Sequence, residues 1–115
     1  MKVGLAFTLG TPLTQLEPVI ALTDAVLLLS RVTGEGSKGA VFNPLVLPRL
    51  QTVQEMAASA NTALDIQVAG SVKRQHIPEL VAAGATSIAF GGGIYRVPDM
   101  AVEVVEMRKL AEEQK

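Results

Sequence analysis

Apolar and polar positions follow two different periods along this chain. Four short runs are almost wholly aliphatic: residues 3–7 (VGLAF), 25–29 (AVLLL), 64–68 (LDIQV) and 87–90 (SIAF). Runs of four or five residues without a polar face predict strands buried on both sides of a parallel sheet. The third run is the least typical, because Asp65 and Gln67 alternate with Leu64, Ile66 and Val68. Between the runs the apolar spacing lengthens to that of helices. The first helix is expected over residues 12–22, with Thr11 as N-cap, Pro12 at the first helical position and Leu13, Leu16, Val19 and Ile20 on one face. The second is expected over about 45–60, with Leu50, Val53 and Ala57 in register, and Pro48 placed to disrupt a helix already under way. The third spans about 75–83 and stops at Gly84. The fourth spans about 99–113, with Met100, Val104, Met107 and Ala111 on one stripe. Asp99 at its start and Arg108 and Lys109 in its later turns suit the helix dipole.

A strand followed by a helix, four times over without a linker, predicts an α/β fold with right-handed crossovers. Four such units make either a small open sheet or half of an eight-stranded barrel, whose full length is about 250 residues. At 115 residues the chain is read as one (βα)4 domain spanning 1–115. Hydrophobic residues reach 49% against 18% charged, which excludes a disordered tail and suggests more apolar surface than one small chain can cover. A formal net charge of −1 and 3% aromatics offer no footprint for nucleic acid and no basic patch for a membrane. With no cysteine and one histidine, His76, thiolate chemistry and a histidine-rich metal site are excluded within one chain. No segment has the length of an apolar span or of a secretory leader, so a cytoplasmic location is expected.

Candidate chemistry collects after the strands. Each is followed by a glycine-bearing turn: Gly10, Gly34 with Gly36, Gly70 with Ser71, and Gly91 with Gly92 and Gly93. Glycine turns serve the backbone alone in many parallel sheets, and they also let clustered N–H groups approach an anion. Arg31, Glu35 and Lys38 lie in the longest polar loop, either as ligand contacts or as a solvated surface. Lys73, Arg74 and Arg96 could add positive potential near the third and fourth turns. His76 is read as a partly exposed residue of the third helix, and Gln67 as a weak candidate lining the interior near its mouth.

The segment VGLAFTLGTPL (3–13) resembles the fifth strand and following turn of ribulose-phosphate 3-epimerases, where it reads like VGLALNPGTPL. Residues 24–30 (DAVLLLS) resemble the sixth strand, and Thr33-Gly34-Glu35-Gly36 a changed form of the family's PGFGG loop. Val68-Ala69-Gly70-Ser71-Val72 stands where the family has VDGGI. AAGA (82–85) and AFGGGIY (89–95) are similar to AAGA and VAGSAIF, and Pro98-Asp99 to the pair that opens the last helix. The resemblance is collinear over essentially the whole chain and implies the C-terminal four βα units of a TIM barrel.

What it implies about function is divided. The family's acid and base are two metal-bound aspartates. One belongs to the other half of the barrel, as do the metal-binding histidines, and the other position is Ala69 here. A methionine of the sixth strand is replaced by Leu29. The resemblance therefore implies no catalytic residue, no metal ligand and no cofactor, and no epimerase activity from the isolated chain. The family's phosphate grip, made by backbone N–H groups, is implied at Gly34, Gly36, Gly70, Ser71, Gly91 and Gly92. The expected partners are a phosphate or sugar phosphate and a second copy closing an eight-stranded shell, with no nucleic acid and no membrane. Half of a split isomerase, or a half-barrel without a ligand, are the alternatives.

Overall fold

The computed structural model describes residues 1–31, 41–95 and 97–114. Four parallel strands pair in sequence order: β1 (Gly4–Phe7), β2 (Ala25–Leu29), β3 (Asp65–Ala69) and β4 (Ser87–Ala89). The registers Ala6↔Leu27, Leu27↔Gln67 and Gln67↔Ser87 align one row across all four strands. The third strand begins and ends one residue later than expected, because Asp65 N–H donates to the Asp24 carbonyl and draws the polar residue into the ladder.

The two faces of the sheet differ. Phe7, Val26, Leu28, Ile66 and Val68 are buried in a core completed by Leu16, Ile20, Leu50, Val53 and Leu80 from the helices. The alternate residues, among them Ala25, Leu27, Leu29, Gln67 and Ala69, are half-buried, and Gly4, Ala6 and Ala89 are exposed. Helices thus cover one face and leave the other open, as in a barrel cut along its axis.

The first helical segment is a 3-10 helix, Leu13–Leu22, rather than an α-helix. Pro12 is extended and occupies the N-cap, and Thr11 binds Thr8 through their hydroxyls (2.8 Å) instead of capping. Pro18 lies inside the segment, and a proline ring there clashes with the α-helical carbonyl four residues back. Leu16 and Ile20 are buried as expected, while Val19 is exposed.

Helix α1 (Val46–Ser59) accommodates Pro48 without disruption, since the first turn has no N–H partner to lose. A one-turn 3-10 helix, Arg74–His76, runs into α2 (Ile77–Ala82). Both α helices close in the same way. Ala85 N–H reaches Leu80 O and Gly84 N–H reaches Val81 O, while Thr62 and Asn61 reach Ala57 and Ala58. The left-handed residue is Gly84 in one case (φ 112°) and Asn61 in the other (φ 52°). A side chain at position 84 would start 2.9 Å from the Gln54 amide, which would have to swing aside, so the left-handed φ is what favours glycine there. The residues read as a glycine turn include the start of a short α3 (Gly92–Tyr95). Helix α4 (Met100–Glu112) has Asp99 as its N-cap, accepting from Val102 N–H at 3.2 Å. Among the described residues no helix is long and apolar enough to cross a membrane.

Candidate functional site

The C-terminal ends of β2, β3 and β4 bring three of the predicted residues together. Leu29, Ala69 and Ala89 are register partners, so Gly70-Ser71 and Phe90-Gly91 leave the sheet side by side. Gly70 and Ser71 both lie in the left-handed region, at φ 116° and 55°. A Cβ on Gly70 would meet Arg31 Cγ at 2.8 Å and the Ser30 and Arg31 amide nitrogens at 3.2 Å, so only glycine fits under Arg31.

The turn is held from β2 by a residue the sequence reading passed over. Ser30 is fully buried. Its N–H donates to the Ala69 carbonyl (2.8 Å), and its hydroxyl donates to the carbonyls of Ala69 (3.0 Å) and Gly70. The only sequence signal was a polar residue closing an aliphatic strand. Arg31, one of two open readings above, is half-buried over Gly70. Gly91 is exposed with no atom within 4 Å of where a side chain would begin, and Gly92 opens α3. Gly34, Gly36, Glu35, Lys38 and Arg96 lie outside the described residues.

Arg49, from the first turn of α1, closes the neighbouring turn after β1. Its guanidinium donates to the carbonyls of Thr8 (2.9 Å) and Thr11 (2.8 Å), and partial burial lowers its pKa. Arg74 is engaged elsewhere, paired with Glu103 at 3.0 Å. Lys73 is exposed. His76 stacks on Phe42 with centroids 3.9 Å apart, and its Nδ1 accepts the Lys73 N–H at 3.0 Å. Burial first, and then the Lys73 charge, lower its pKa against an opposing pull from Glu79. That arrangement makes it a neutral brace for the turn before α2.

The uncovered face carries its polar chemistry at the opposite end. Asp65 accepts from Thr86 (2.6 Å), Ser87 (2.9 Å) and the Gln67 amide (2.7 Å). The Thr86 hydroxyl, then Gln67, hold the carboxyl below the usual range. Partial desolvation opposes them, and Ser87 and Lys2 add smaller downward pulls. Gln67 does face the interior, but its amide turns down toward Asp65 rather than toward the mouth. Ala69 is on the same face at the mouth, four residues or roughly 13 Å along the strand from that carboxylate.

Comparison with known proteins follows this geometry. The ribulose-phosphate 3 epimerase family profile matches residues 1–95. Ribulose-phosphate 3-epimerase of Escherichia coli (strain K12) is 36% identical over 107 residues, covering 93% of this chain and 47% of the relative. The Aquifex aeolicus (strain VF5) enzyme of the same name is 30% identical over 109 residues, covering 95% and 48%. The chain thus spans about half the length of the curated relatives it matches. Among solved structures, 3-hexulose-6-phosphate synthase from Salmonella typhimurium superposes with a TM-score of 0.63 at 14% identity, over 99% of this chain and 51% of that one. The fold is half of a TIM barrel, and the chain belongs to the ribulose-phosphate 3-epimerase family.

Proposed function

We propose that this half-barrel binds the phosphate of a phosphorylated small molecule at the C-terminal ends of β3 and β4, and does not epimerise it unaided. The observation that carries the reading is the Gly70-Ser71 turn, two successive left-handed residues at a strand end, beside the open turn at Gly91. Tight turns at strand ends can present successive N–H groups to an anion. Arg31, whose Cγ lies against Gly70, supplies a cation from the same end of the sheet that can reach a bound anion. The reading rests on Gly70, Ser71, Gly91 and Gly92.

The chemistry of epimerisation asks for more. A proton must leave one face of a carbon and return on the other, which takes an acid and a base within hydrogen-bond reach. At the mouth of this sheet the candidate position holds the methyl group of Ala69. Asp65 is too far down the strand to replace it, and its oxygens already have three partners.

Titration with inorganic phosphate and with ribulose 5-phosphate tests the proposal. Amide shifts at Ser71 and Gly91 and a rise in melting temperature at millimolar ligand are expected, both weakened by Arg31→Ala. Absence of both would sink it. Turnover of ribulose 5-phosphate by the chain alone with a divalent metal would overturn the second clause. The half-length match also supports a second reading, one part of a two-part isomerase. Turnover appearing only when a relative's N-terminal half is added would favour that reading.

A further inference from the structure

A crossover helix in this fold has two strands to cover. Helix α1 packs on β2 and β3, the strand it follows and the one it leads into. Helix α4 follows β4 and packs on α2 and α3, and among the described residues no further strand lies beneath it. Its apolar stripe shows the consequence. Met107 is buried, but Met100 is 47% and Val104 45% exposed. Beneath the stripe, Ile88 and Phe90 of the β4 segment line an open groove of about 710 Å³ together with Val104, Met107 and Ala111. The other edge has the opposite lack. Val3, Leu5 and Phe7 alternate onto the helix-covered face of β1, and Val3 is 51% exposed, with no helix among the described residues closing over it. One edge is a helix short of a strand; the other is a strand short of a helix.

We propose that a second copy of this chain fills both gaps. The β1 strand of the second copy pairs in parallel with β4, and α4 lies across that seam with Met100 and Val104 over the second copy's Val3 and Leu5. A two-fold axis repeats the contact at the remaining edges, so four strands and four close the eight of a TIM barrel. The turn at Gly10 of one copy then stands beside Gly91 of the other, completing the mouth.

Area argues for both seams. Four strands about 4.8 Å apart and four residues long present a face of roughly 250 Å². Two such faces fall short of the approximately 1,200–2,000 Å² buried in stable interfaces, so the aliphatic edges must join in. Polar cost is low, since the Asp65 carboxylate is already hydrogen-bonded by its own chain before the face is covered. A net charge of −1 sets little repulsion between copies.

Size exclusion with light scattering, in phosphate-free buffer at micromolar chain, is the test. A mass of twice 12.1 kDa is expected. A monomer, or a mass climbing past two copies, overturns the proposal. Val3→Glu and Val104→Glu alter half-exposed positions and should each weaken the dimer at least tenfold; a dimer indifferent to both uses another face. Should these variants unfold, a cross-link decides. The chain has no cysteine. Ala6 and Ala89 are exposed on opposite edges, three strand spacings and two residues apart, roughly 16 Å and beyond disulfide reach. Ala6→Cys with Ala89→Cys should give a dimer band with a short thiol cross-linker, and its absence overturns the seam. Anion binding is read separately, so either proposal can fail alone.

Discussion

Two helices of similar length, α1 and α4, meet the same sheet with different results. Under α1, Leu50, Val53, Val26 and Val68 are fully buried and the strands on both sides are sealed. Beside α4, Ile88 and Phe90 stay half-open and most of an apolar stripe faces a groove. The local sequences do not explain this. Both helices have aliphatic stripes, and α4 has the better N-cap, Asp99. The difference is topological: a helix closes a core only where two strands lie beneath it. An amphipathic pattern therefore states what a helix can bury, and chain order decides what it does bury.

The largest test of this contrast is in the core. Leu50→Ala should cost about 2–5 kcal/mol in urea unfolding, the range for a fully enclosed side chain. Met107→Ala should cost less, because its cavity opens into the groove. If a second copy covers that groove, the gap between the two variants should narrow as concentration rises. The turns carry the next largest effect. Gly70→Ala forces a left-handed alanine against Arg31 and two amides, and should cost about 1–3 kcal/mol. Gly91→Ala at the open edge should change melting temperature little.

A smaller effect comes from pH. The folded pKa of His76 lies below the ordinary value of about 6.5. The unfolded chain therefore binds the proton more readily. The His76 contribution is fully present above about 6.5 and is lost as pH falls through the folded value, when Nδ1 can no longer accept the Lys73 N–H. Denaturation midpoints between pH 7.5 and 5 should fall in the parent chain and flatten in His76→Ala. The smallest expectation concerns the tie between the turn before α2 and α4. Glu103→Gln removes the Arg74 pair, which is half-exposed on the arginine side, and should shift stability by no more than about 0.5 kcal/mol.

The four strands were legible because a buried parallel strand needs an unbroken aliphatic run, and such runs are rare enough to stand out. The helix stops at Gly84 and the start at Asp99 were legible for a similar reason, since each rests on one residue's local chemistry. Features set by distant partners were not. Thr11 carries a capping side chain, but a neighbouring hydroxyl takes it. Arg49 lies 41 residues from the carbonyl of Thr8 that it binds, and nothing in its surroundings along the chain marks it. At the candidate site, the glycines of the β3 turn could be read from the sequence. The serine that shapes the turn, reaching across from β2, could not.

That serine also ties elements together beyond the β3 turn. The Ser30 carbonyl accepts the Asn43 N–H at 2.6 Å, which fixes the approach to α1 against the end of β2. Asn43 then leads directly into α1, its side chain accepting the Leu45 N–H. One buried serine thus acts as a hub, joining the end of β2 to the turn after β3 and to the approach to α1.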